Sequence, residues 1–201
     1  MANREVSPFA PGRRAVLEWI RQDTYASFLF PAATALATAS LFSTPDANNG
    51  LFTNITTPNQ IASPKVMRVL GVRVHVAENG AALDATGANY FDLVAIINSL
   101  VFFWTIGPKE YLTAPLHSLP SGFGAYLSAT GTPAANNMLY TAQNGVPTFN
   151  NFMKFGRKVI TLVPNQTFKV QFVLGATPAP VLANARRVYA YLVGTLGREV
   201  M

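Results

Sequence analysis

Turn chemistry recurs along most of this chain at short intervals. TPDANNG (44–50), TPNQ (57–60), ENG (78–80), GPK (107–109), LPSG (119–122), GTP (131–133), QNG (143–145), VPNQ (163–166) and ATPAP (176–180) each separate one apolar run from the next. Gly, Pro and Asn at that density leave room for strands of a few residues and for few long helices. The runs between them carry the period of a strand. In VLGVRVHV (69–76), Leu70, Val72, Val74 and Val76 alternate with Gly71, Arg73 and His75. In TFKVQFVLG (167–175), Phe168, Val170, Phe172 and Leu174 alternate with Lys169, Gln171 and Val173. The first set in each is expected to face a core. VYAYLVG (188–194) is apolar on both parities, as a strand covered on both sides would be.

About eight strand candidates follow: two near 25–42, then 51–56, 66–76, 101–106, 110–116 or 123–128, 158–162, 168–174 and 187–193. Too few helices exist to cross over a parallel sheet. The expected fold is all-β, an antiparallel β-sandwich, and eight strands in two sheets is the number of a jelly roll. An immunoglobulin-like sandwich is the nearest competitor, but its Cys and core Trp spacing is absent. Two helices are expected. RRAVLEWIRQ (13–22) places Val16, Leu17 and Ile20 at helical spacing, after a Pro-rich arm over 1–12. NYFDLVAIINSL, from Asn89, offers Phe91, Val94, Ile97 and Leu100 or Val101 as a stripe, inside an inter-strand connection. The expected division is an arm and short helix over 1–23, then a β domain over 24–201. Residues 129–151 read as a long polar loop.

The 201 residues are half hydrophobic and 12% charged, against about 25% charged for an average soluble domain. So little charge raises the share of surface expected to meet other chains. Without cysteine there is no disulfide and no thiolate metal site. The net charge of +6 invites a nucleic-acid reading. Its cations are scattered, however, with small clusters at Arg13–Arg14, Lys154 to Lys158 and Arg186–Arg187. Phe152, Lys154, Phe155, Arg157 and Lys158 interleave rings and cations, a pattern that suits single strands; solvated charges beside a core strand explain it as well. YASFLFPAATALATASLF (25–42) is long enough to span a membrane, but Pro31 and its hydroxyls favour two buried strands joined at FPAAT.

Catalytic chemistry is sparse. The nine acids are never closer than five residues in sequence, so nothing selects a carboxylate pair. His75 and His117 lack companion ligands for a metal. His75 is expected on a surface or interface. His117, with Ser118 and Ser121, lacks the G-x-S-x-G elbow of a hydrolase. No phosphate-binding loop is present. The chain is therefore expected not to be an enzyme, with no cofactor, metal or small-molecule substrate.

The C-terminal third, GRKVITLVPNQTFKVQFVLG followed by ARRVYAYLVGTLGREV, resembles the end of single jelly-roll virion proteins of icosahedral bacterial viruses. Its closing pattern is carried by Arg186, Val188, Leu192, Gly194, Arg198 and Val200. YASFLFPAATALATASLF resembles their opening strand pair. The resemblance implies a capsid, cement or decoration protein located in the virion and made in the host cytoplasm. Its partners would be copies of itself and other capsid proteins. The basic N-terminal arm would touch packaged genome or an internal membrane. The expected interface residues are Pro8, Phe9, Arg13 and Arg14 in the arm, Leu17, Trp19 and Ile20 in the first helix, and Tyr140 and Phe149 in the long loop. Two other readings stay open. One is a carbohydrate- or receptor-binding sandwich of a spike or fibre, with Tyr126, Tyr140 and Phe149 as sugar platforms. The other is a membrane-associated virion protein anchored by 24–43.

Overall fold

The computed structural model describes residues 5–6, 16–32, 38–45, 50–77, 88–119, 126–130, 139–143, 152–156, 159–175 and 180–200. For 5–6, 16–17, 88–91, 126–130, 139–143 and 199–200 the description is of backbone alone.

The strands are β1 (Glu5–Val6), β2 (Val16–Arg21), β3 (Thr24–Phe30), β4 (Thr38–Leu41), β5 (Val66–Ala77), β6 (Leu100–Ile106), β7 (Lys109–Pro115), β8 (Tyr126–Thr130), β9 (Leu139–Gln143), β10 (Met153–Lys154), β11 (Ile160–Leu162), β12 (Phe168–Leu174) and β13 (Arg186–Val200). Among the described residues one α-helix, α1 (Ala88–Ser99), precedes β6, and one 3-10 turn covers Leu116–Ser118. A seven-stranded sheet is built around β13, which pairs along one side with β2 and β3 and along the other with β5; β10 and β11 then pair with β5. A four-stranded sheet runs β4-β12-β6-β7. All of these pairs are antiparallel. β8 and β9 form a separate hairpin.

The two sheets enclose one core. Phe168, Val170 and Phe172 point inward from β12, Phe102 and Trp104 from β6, Phe30 from β3, and Val188, Ala190 and Leu192 from β13, all fully buried or nearly so. The alternation in 167–175 is thus realised as read, with Leu174 packed at the margin of the core. Lys169 is exposed on the other parity, and Gln171 donates from Nε2 to Ser40 Oγ at 3.1 Å. Both P-N-Q turns form with Asn in the left-handed region, Asn59 at φ 54° and Asn165 at 61°, which Asn tolerates better than most residues.

The apolar 25–42 stretch is two strands in different sheets, β3 and β4. Among the described residues no helix is long and apolar enough to cross a membrane.

Four expectations about elements need correction. The segment 16–21 is a strand, not an amphipathic helix: six consecutive pairs, Val200↔Val16 to Thr195↔Arg21, tie it to β13. A six-residue run fits both periods, and the waiting edge of β13 decides between them. Residues 51–56 contain only an isolated bridge, Ala26↔Thr53. Part of 129–151 is strand, β9 with the end of β8. Among the described side chains of α1 the buried positions are Asp92, Ile96 and Ser99, with Val94 and Ile97 only partly buried; of the expected stripe Leu100 is buried and the Phe91 side chain lies outside the description, while Asp92 is drawn inward by partners described below.

Candidate functional site

The seven-stranded sheet has an outer face built by strand parity. β3, β13 and β5 align Tyr25–Tyr191–Arg73, then Ser27–Tyr189–His75, then Leu29–Arg187–Ala77. Their neighbours Ala26, Val188 and Val74 are buried on the inner side. At the far end of β13, Arg21–Thr195–Arg68 and Trp19–Gly197–Val66 continue the same outer parity.

Rings and cations interleave across this face. Tyr189 and Tyr191 stack at 6.2 Å, Tyr25 lies 5.6 Å from Tyr191, and His75 lies 6.4 Å from Tyr189. The Arg73 guanidinium sits 4.3 Å over Tyr191, held there by Asp23 Oδ2 at 3.0 Å. Arg187 lies 3.6 Å over Phe52 and donates to Ser27 Oγ at 3.2 Å. Arg68 lies 4.1 Å over Trp19, whose ring rests on the bare backbone of Gly197. Lys154 Nζ is 5.5 Å from the Phe152 ring. Such pairs are worth roughly 0.5–1 kcal/mol each when exposed.

Residues 50–54 brace the edge of β3. Asn54 accepts the Tyr25 N–H at 2.9 Å and donates to the Asp23 carbonyl at 2.8 Å. Thr53 Oγ1 donates to the Tyr25 carbonyl, and the Tyr25 hydroxyl donates to the Gly50 carbonyl. These bonds occupy an edge that would otherwise be open to pairing. Where β2 gives way to β3, a surface depression of about 450 Å³ opens, lined by Arg21, Asp23, Tyr25, Asn54, Arg73 and Tyr191.

Two titrations are displaced here. His75 lies on the outer parity but is buried there, so it is not the exposed surface residue that was one of the two expectations, and burial together with the nearby Arg73 charge lowers its pKa to about 4. Burial raises the Tyr191 phenol; Tyr189, Tyr25 and Asp23 push the same way, against Arg73. The imidazole is therefore neutral at pH 7, and so is the phenol.

A second polar cluster is internal. Asp92 accepts the N–H groups of Ala183 at 2.8 Å and Asn184 at 2.9 Å, and its Oδ2 lies 3.5 Å from Arg186 Nη2. Both side chains are almost wholly buried. The cluster pins the approach to β13 onto α1.

Of the expected interface residues, Pro8, Phe9, Arg13, Arg14 and Phe149 lie outside the described residues. Leu17 is in β2, and Tyr140 is in β9 opposite Ala129. Trp19 and Ile20 fall on opposite sides of β2, Trp19 outward under Arg68 and Ile20 packed against the core. Of the aromatic–basic segment, Phe152 and Lys154 join the outer face, while Phe155 stacks on Trp104 at 5.5 Å and belongs to the interior. Arg157 and Lys158 lie outside the described residues. His117 is exposed, and the Ser118 hydroxyl beside it donates to the Pro115 carbonyl at 2.8 Å. Among the described residues no group of three or more His, Asp or Glu could hold a metal.

Sequence reasoning missed Arg68, Arg187, Tyr189 and Tyr191 as members of a shared surface. The usable signal was parity. Arg73 and His75 share one parity of β5, as Arg187, Tyr189 and Tyr191 share one parity of β13. A scan against protein-family models, a search of curated proteins and a search of solved structures each give no match to this chain.

Proposed function

We propose that the chain is a single jelly-roll structural protein of a virion, acting in or on an icosahedral shell through contacts with copies of itself and other capsid proteins. The observation that carries this reading is the nesting of the strand pairs. Take β2 with β3 as one interrupted strand and β10 with β11 as another. The sandwich then has eight strands in chain order: β2/β3, β4, β5, β6, β7, β10/β11, β12 and β13. The first pairs with the eighth (β3·β13), the second with the seventh (β4·β12), the third with the sixth (β5·β11) and the fourth with the fifth (β6·β7). Rolling one long antiparallel ribbon into two sheets gives this series. It also sets the eighth beside the third and the seventh beside the fourth, as in β13·β5 and β12·β6. That order supports a jelly roll, an architecture used by capsid proteins among others. α1 occupies the connection from the third strand to the fourth, and the β8–β9 hairpin the connection from the fifth to the sixth.

Fold alone does not select a function. The sequence resemblance and the charge-poor composition supply the rest, together with apolar side chains left outside. Leu29 is 45% exposed, Leu51 62% and Val181 75%. Such surface suits burial against another subunit. Negative-stain electron microscopy of the purified chain tests the reading: closed particles or uniform small rings are expected. Dispersed monomers at every concentration, with none attached to shells of co-expressed virion proteins, would refute it.

A further inference from the structure

We propose that the outer face of the seven-stranded sheet binds single-stranded nucleic acid, with its cations on phosphates and its ring–guanidinium stacks against bases. This goes beyond the shell reading and does not require it, and it rests on residues other than the arginines of the N-terminal arm.

The charge is one-sided. Following β13, arginines recur every four residues: Arg187 itself, Arg73 opposite Tyr191, and Arg68 opposite Thr195. At roughly 3.3 Å per residue these levels are about 13 Å apart, so the line spans about 26 Å. Lys154 lies beside it, opposite Gly71. Among the described side chains of this face Asp23 is the one carboxylate, and it serves to hold Arg73 over Tyr191. The outer face of the four-stranded sheet differs. There Lys169, Thr105 and Glu110 share a row, and Gln171, Phe103 and Thr113 another.

That asymmetry selects the occupant. A second copy related by a two-fold axis would lay this basic face on itself, positive patch against positive patch. An anionic chain meets no such penalty. The rings narrow the class further. Arg68, Arg73, Arg187 and Lys154 each lie within 5.5 Å of a ring centroid. A guanidinium placed over a ring can offer its plane to a base as well as its N–H groups to phosphate. Stacking platforms along a basic track are how proteins hold single strands without reading sequence. A duplex, whose bases are already stacked, would use the cations alone.

The test is fluorescence anisotropy of a labelled oligothymidylate titrated with the folded full chain, across a salt series. Wild type is expected to bind with a salt slope that falls by about 0.7 for each phosphate-binding cation removed. The triple substitution Arg68→Gln, Lys154→Gln, Arg187→Gln is expected to weaken binding at least tenfold and to flatten that slope by about 2. Tyr189→Leu is expected to weaken binding severalfold at an unchanged slope. Arg13→Gln with Arg14→Gln in the arm is expected to stay within twofold of wild type. Circular dichroism verifies folding; should the triple variant unfold, Arg187→Gln and Lys154→Gln alone are each expected to lower the slope by about 0.7. The proposal is overturned if wild type does not bind, or if the loss follows the arm variant and spares the face. It is equally overturned if duplex DNA or heparin binds as tightly as the oligonucleotide while Tyr189→Leu has no effect, which would leave a general polyanion patch. Sedimentation of the same samples keeps the two readings apart: assembly without oligonucleotide binding contradicts this inference, and binding by a permanent monomer contradicts the shell.

Discussion

Burying His75 between Tyr189 and Arg73 makes the fold sensitive to acid at one position. The unfolded chain takes up this proton near the usual 6.5, whereas the folded chain resists until about 4. Through that window the unfolded state holds more protons, so stability falls as pH falls. The ceiling on the loss is on the order of 3 kcal/mol. Urea denaturation of wild type and His75→Gln at pH 7 and pH 4.5 checks it: the variant is expected to lose less on acidification, and parallel losses would refute the assignment. Asp92 is the other residue whose environment dictates a response. Asp92→Ala strips two N–H groups of their acceptor and leaves the buried Arg186 without its carboxylate. A cost of about 3–5 kcal/mol is expected. Asp92→Asn, which keeps an acceptor oxygen, should lose less. Equal denaturation midpoints for Asp92→Ala and wild type would contradict the pinning role. Neither residue could be picked from sequence. A strand histidine on the polar parity reads as exposed, and a helical Asp between Phe91 and Leu93 reads as the solvent side. What buries them is a partner far along the chain, Tyr189 for one and residues 183–186 for the other.

Among elements, β5 shows how local pattern and register part company. Its pairing with β13 slips between Val193 and Gly194, so that Val69 and Val72 both point inward and Leu70 is the extra residue, 36% exposed. Simple alternation had placed Leu70 with Val72, Val74 and Val76; a bulge inserts one residue and resets parity beyond it. Gly71, next to the bulge, gives passage to another strand. A Cβ there would run into the Met153 carbonyl and the Phe152 ring. Gly71→Ala is therefore expected to displace β10 and strip Phe152 and Lys154 from the outer face. Hydrogen exchange should show lost protection at the Phe155 N–H, which bonds to the Leu70 carbonyl at 3.0 Å; unchanged protection would refute this. β12 and β6 were legible because seven consecutive pairs, Phe168↔Ile106 to Leu174↔Leu100, preserve strict alternation. β2 was not, since its identity rests on β13, almost the whole chain away.

At the scale of the molecule, the two-sheet sandwich follows from the spacing of turns and the greasy parity of the strands. The cation–ring face does not. It is assembled from residues 19, 25, 52, 68, 73, 152, 154, 187, 189 and 191, which only cross-strand register brings together. The assembly reading belongs to this scale as well. Subunits that bind only the folded form stabilise it by mass action, so apparent stability should rise with protein concentration. Sedimentation velocity over a wide concentration series, with thermal melts of the same samples, measures both consequences at once. Species well above the 21.7 kDa monomer and a Tm that climbs with concentration are the predicted result. One monomeric boundary throughout, with a constant Tm, would contradict a protein built to tile a shell.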